Sequence, residues 1–161
     1  MIYICLTLTA IIIMVVAQLI RKYSKIYKRA ISFRESLDLS GLPVITFNQG
    51  KKKFNFLFDT GATNSVINST VLENLKYTTI DDCQCEVYGM EGNVQYVNMV
   101  TINFKRDIEF SDDFQVVDLS SAFDSVKAET GVTISGILGN TFFQKYKYVI
   151  DYEQMIVYPK A

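Results

Sequence analysis

No charged residue interrupts the chain from Ile2 to Ile20, and AIIIMVVA at its centre is apolar throughout. As a helix rising ~1.5 Å per residue, such a run comes close to the ~30 Å hydrocarbon layer. A cleaved signal peptide is the competing reading. Against it, the positive leading region is missing, the apolar stretch is long, and no small-x-small site precedes the charges. The pattern predicts a single transmembrane anchor over 1–20. RKYSKIYKRA follows directly, with Arg21, Lys22, Lys25, Lys28 and Arg29 and no acid before Glu35. Basic flanks of a span tend to stay cytoplasmic, so the main domain is expected on the cytoplasmic side. A headgroup-binding collar that says little about sidedness is the alternative.

Residues 21–40 read as a basic juxtamembrane segment and linker with some helix, and 41–161 as one domain. LPVITFN and KFNFLFD are short β-prone runs parted by the turn residues Asn48-Gln49-Gly50. STVLENL carries Thr70 three residues before Glu73, the spacing of a capping box on a short helix. CEVYG and VQYVNMVTINF flank a hairpin tip near Gly92, and IEFSDDFQVV reads as a strand with a bulge at Asp112-Asp113. LSSAFDSVKAE predicts a helix stopped by Gly131. TISGILGN, a TFFQKY helical turn and the hairpin YVIDYEQMIVY close the chain. The expected fold is mainly β and antiparallel, with short helices.

Composition narrows the chemistry. A net charge of −1 over 161 residues gives no sign of a nucleic-acid partner. Histidine is absent, which removes Ser-His-Asp and Cys-His catalysis and His-based zinc sites. Acid–base work then falls to carboxylates, Lys, Tyr or Cys. Cys5, Cys83 and Cys85 read as reduced thiols, since Cys-x-Cys is too close for an ordinary structural disulfide and has no further metal ligands. Neither a cofactor nor a metal is expected.

One stretch resists an ordinary explanation. In FLFDTGATNSVIN an apolar strand ends in Asp59-Thr60-Gly61 and resumes at Ser65-Val66-Ile67. An Asp-x-Gly turn alone is unremarkable, but flanks of FLF and SVI imply a carboxylate at the floor of a packed structure. Such a group is costly unless hydrogen-bonded or functional. Thr60 and Thr63 offer hydroxyls, and Gly61 allows close backbone approach.

With Asp59-Thr60-Gly61-Ala62 after an apolar strand, and Ile137-Leu138-Gly139 as a second hydrophobic-hydrophobic-glycine element, the chain resembles the retropepsin-like aspartic proteases over about Leu42 to Tyr158. The resemblance implies a closed, barrel-like antiparallel fold and an endopeptidase acting on peptide or protein substrates. It implies Asp59 as the catalytic residue, with Thr60 and Gly61 supporting it. Ala62 and Thr63 would line the substrate cleft with Gly89, Met90 and Gly92 of the hairpin tip as the flap, although that tip is not glycine-rich. Because the chain holds a single Asp-Thr-Gly and Asp151 lacks a glycine turn, the resemblance also implies a homodimer that brings two Asp59 carboxylates together. The rival readings are a dimeric peptide-binding scaffold of the same fold without catalysis, and an unrelated membrane-anchored β-barrel binding protein.

Overall fold

The computed structural model describes residues 2–88, 94–106 and 108–160. In chain order the elements begin with α1 (Ile2–Tyr27), β1 (Ile31–Ser32), α2 (Arg34–Ser40), β2 (Val44–Gln49), β3 (Lys52–Phe58) and β4 (Ser65–Asn68). A 3-10 helix (Ser69–Asn74), β5 (Tyr77–Tyr88), β6 (Val94–Lys105), β7 (Glu109–Val117) and α3 (Ser120–Thr130) follow. β8 (Gly136–Leu138), α4 (Asn140–Tyr146), β9 (Tyr148–Asp151) and β10 (Ile156–Pro159) complete the chain.

Alternation along the strands builds the core. On β3, Phe54, Phe56 and Phe58 are buried on one face, while Leu57 on the other packs beneath α3 with Val44, Phe123 and Ile134. Phe47 from β2 sits at the hub of the main core, edge-on to Phe56, Phe110 and Phe142 at centroid separations of 6.0, 5.3 and 6.2 Å. Such T-shaped contacts suit the ring quadrupole and add to the area buried. The β2–β3 hairpin turns at Gly50, whose φ of +60° a side chain would strain. α3 stops at Gly131 in the same left-handed region, as expected.

Several expectations need correction. The sheet is mixed and is not a closed antiparallel barrel. Its order is β2-β3-β8-β4-β7-β6-β5, with β3–β8 and β4–β7 parallel. β2, at one end, also meets β6 through one register pair, Asn48 with Lys105, while β5 extends the sheet past β6 at the other end. Residues 31–40, read as linker, contribute Ile31 and Phe33 to the main core, and β1 pairs with β10. The STVLENL segment forms a 3-10 helix preceded by Asn68, without a side-chain cap bond. β7 runs in unbroken register with β6, and the irregularity lies instead in β5 between Ile80 and Gln84. α1 is 26 residues long, yet among the described residues no helix is long and apolar enough to cross a membrane. The expected span also takes in residues 1–6, whose side chains lie outside the description.

Candidate functional site

Asp59 follows directly on β3, and the strand delivers it to one place because Phe58 is held on several sides. Phe58 packs on Phe143, Tyr148 and Phe142 at 5.2, 5.6 and 6.1 Å and is 3% exposed. Beside it runs β8, parallel, with Leu57 opposite Ile137 and Phe58 opposite Leu138. β4, which leaves the turn, pairs with the other edge of β8 through Val66 and Ile137. The Asp59 loop is therefore strung between two strands that share β8 as their common neighbour. Ile137-Leu138-Gly139 lies where the loop begins and ends, although some seventy residues separate it from the loop in sequence.

Backbone hydrogen bonds fix the loop. The Asp59 N–H donates to the Leu138 carbonyl at 3.1 Å, and the Ala62 N–H closes a turn on the Asp59 carbonyl at 3.2 Å. From the start of α4, the Asn140 and Thr141 N–H groups donate to the carbonyls of Ala62 and Thr63 at 2.9 and 3.2 Å. The Asn140 side-chain amide donates to the Thr60 carbonyl at 2.9 Å. Gly139 permits this approach: a Cβ there would lie 2.4 Å from the Asn64 carbonyl oxygen and 2.9 Å from that of Ala62. No side chain fits at that distance without moving backbone.

The carboxylate differs from the expected one in its setting. Asp59 is half-buried, and Thr60 and Gly61 are exposed. Asp59 Oδ1 accepts the Gly61 N–H at 2.8 Å, while Thr60 offers its carbonyl to Asn140. A Cβ at Gly61 would stand 3.1 Å from Asp59 Oδ1, so this glycine keeps the carboxylate's near side open.

Among the described residues, the enclosed acid is another one. Asp112 on β7 is 5% exposed, accepts the Ser65 hydroxyl at 2.7 Å and lies 3.9 Å from Lys145 Nζ. Burial pushes its carboxyl above the usual range, and the Ser65 hydrogen bond and Lys145 pull the other way. The structure thus brings together Asp59, Thr60, Gly61, Ala62 and Thr63 with Ile137, Leu138 and Gly139. It adds Ser65, Asp112 and Asn140, to none of which the sequence reading gave a role in the site. Gly89, Met90 and Gly92 lie outside the described residues. Asp151 closes the β9–β10 turn by accepting the Gln154 N–H at 2.9 Å. Among the described residues, no group of three or more Cys, Asp or Glu side chains is placed to hold a metal ion.

A solved structure described as a retropepsin-like aspartic protease from Rickettsia conorii is similar at 18% identity. The likeness covers 71% of this chain and 78% of that one, with a TM-score of 0.41. No curated protein matches. The model of the family described as aspartyl protease matches residues 44–142, which take in the Asp59 loop, β8 and the first turn of α4. With more than half of its length so matched, the chain belongs to the aspartyl protease family.

Proposed function

We propose that the chain is a retropepsin-like aspartic endopeptidase, active as a homodimer, in which two Asp59 carboxylates share one proton and hold one water. The observation that carries this reading is the Asp59 loop itself. Its backbone is held by β8 and α4, yet Asp59 is only half-buried in a single chain. A second copy of the loop set against the first would supply the missing carboxylate and cover. Two carboxylates about 3 Å apart cannot both ionise, so one acts as base and the other as acid. The ionised group takes a proton from the water as its oxygen bonds to the peptide carbonyl carbon. The protonated group gives its proton to the carbonyl oxygen, forming a tetrahedral diol. Collapse of the diol breaks the C–N bond, and the amine leaves with a proton from the pair. Thr60 would support the pair across the two-fold axis, and Ala62 and Thr63 would line the cleft with Gly89, Met90 and Gly92. Incubating the full chain with a peptide library should yield cleavage that a pepstatin-type inhibitor suppresses. Cleavage indifferent to the inhibitor would overturn the mechanism.

The reading includes anchoring to a membrane through Ile2–Ile20, with the protease domain on the cytoplasmic side. Leu8, Ile11, Ile13, Leu19 and Ile20 of α1 are all at least 49% exposed, which is unfavourable in water along so long a stretch. Placing that surface in lipid removes the cost and confines two protomers to a plane, raising their effective concentration. The chain should stay with membranes through carbonate extraction. A cysteine added near Ala161 should react with an impermeant thiol reagent only after permeabilisation. Release by carbonate would sink the anchor, and labelling of intact cells would reverse the orientation.

A further inference from the structure

Asp112 is an enclosed carboxylate for which the proposed chemistry has no use. Its neighbours show what it holds. Ser65, at 0% exposure, has one hydroxyl proton, and the structure directs it to Asp112 Oδ2 at 2.7 Å. With the proton so committed, an oxygen lone pair is left to face the Gly139 N–H, which donates to Ser65 Oγ at 3.3 Å. Gly139 is the residue that seats against the carbonyls of Ala62 and Asn64, and the next two N–H groups grip the loop. The chain of contacts runs from β7 through β4 to the junction of β8 and α4. On the far side, α4 is tied back to β7 around Ser111: Lys145 Nζ and the Tyr146 hydroxyl both donate to the Ser111 carbonyl, and Tyr146 Oη accepts the Ser111 N–H.

We propose that Asp112 is a positioning residue for the Asp59 loop, acting through the Ser65 hydroxyl to hold Gly139, and with it the loop, in the geometry that catalysis needs. An acceptor is required at this point. Without one, the Ser65 hydroxyl is free to rotate its proton toward the Gly139 N–H, and two donors then face each other. A carboxylate accepts more strongly than a neutral group, and enclosure shields the contact from competing water. This inference rests on the Asp59 endopeptidase reading for its kinetic consequence and on geometry alone for its structural one.

The test uses the full chain and the variants Ser65→Ala, Asp112→Ala and Asp112→Asn. Two readouts are taken: steady-state cleavage of a peptide, and amide hydrogen exchange at Gly139. Ser65→Ala removes one oxygen atom and is the variant best placed to fold. It and Asp112→Ala should lower kcat on the order of 10–100-fold, as small misplacements of reacting groups do, with KM changed less than about threefold. Exchange at Gly139 should quicken about tenfold or more, while amides in the middle of β6 keep their protection. Asp112→Asn keeps an acceptor oxygen for Ser65 and should restore most of both. Unchanged Gly139 exchange in folded Ser65→Ala would overturn the proposal, as would a uniform loss of protection along the chain, which is what a merely structural role gives. So would Asp112→Asn behaving like Asp112→Ala. A wild type that cuts no peptide would sink the endopeptidase reading alone, and the exchange contrast would still decide whether Asp112 holds the loop.

Discussion

Asp59→Asn should lower peptide cleavage on the order of 10³–10⁴-fold, the scale of losing a positioned acid–base group. The substitution changes almost nothing else. Asn keeps an oxygen where Asp59 Oδ1 accepts the Gly61 N–H, and the loop's other bonds to Leu138, Asn140 and Thr141 are made by backbone or by Asn140. Because Asp59 is only half-buried, the folded chain should keep its stability to within about 0.5 kcal/mol. What the variant loses is the ionisable proton: an amide can neither take one from the water nor pass one to the carbonyl oxygen. Thermal unfolding and cleavage measured on the same preparation separate the two effects. Near wild-type cleavage would show that Asp59 is not the catalytic group. Loss of cleavage together with a large fall in melting temperature would mean that the loop, and not the carboxyl, had been broken.

How far this site could be read from the sequence depends on the range of the interactions that make it. The Asp59 loop was legible because its signals are local: an apolar strand, an abrupt Asp-Thr-Gly, and a second apolar run. The β2–β3 hairpin and the helix stopped by Gly131 were legible for the same reason. Asn140 was not, because its hydrogen bond to Thr60 joins residues eighty apart in sequence. Ser65 was seen only as part of a recognition pattern. Asp112 had a usable signal that was misread. Phe110, Asp112 and Phe114 fall on one side of a strand by simple alternation, and all three are buried. Assigning a bulge at Asp112-Asp113 within the strand broke that alternation and hid an inward carboxylate. Closure of the sheet was overstated for a similar reason. Strand propensity says which residues extend, but not that β8 enters parallel to β3 or that β5 carries the sheet onward.

Cleavage should depend on two intact copies of Asp59 in one dimer. Each chain brings one Asp-Thr-Gly, and Asp151, the other candidate considered, has its carboxylate engaged in closing a turn. Mixing wild type with an equal amount of Asp59→Asn and allowing subunits to exchange should leave about a quarter of the dimers with both carboxylates, and a threefold excess of variant about one-sixteenth. Relative to the same wild type undiluted by variant but allowed to dimerise fully, activity should fall to about half at equal dose. Inert protein of unrelated sequence should cause no such fall. Dilution supplies an independent arm. If the site is assembled from two chains, activity must fall faster than in proportion to the protein removed as concentration passes below the dissociation constant, so that specific activity falls too. Within a protomer both edges of β10 are taken, by β1 and β9, whereas Thr60 and Gly61 of the Asp59 loop are exposed. Full specific activity in a species shown by sedimentation to be monomeric would rule out the shared site. The second carboxylate would then lie within the chain, and Asp151→Asn would be the variant to make next.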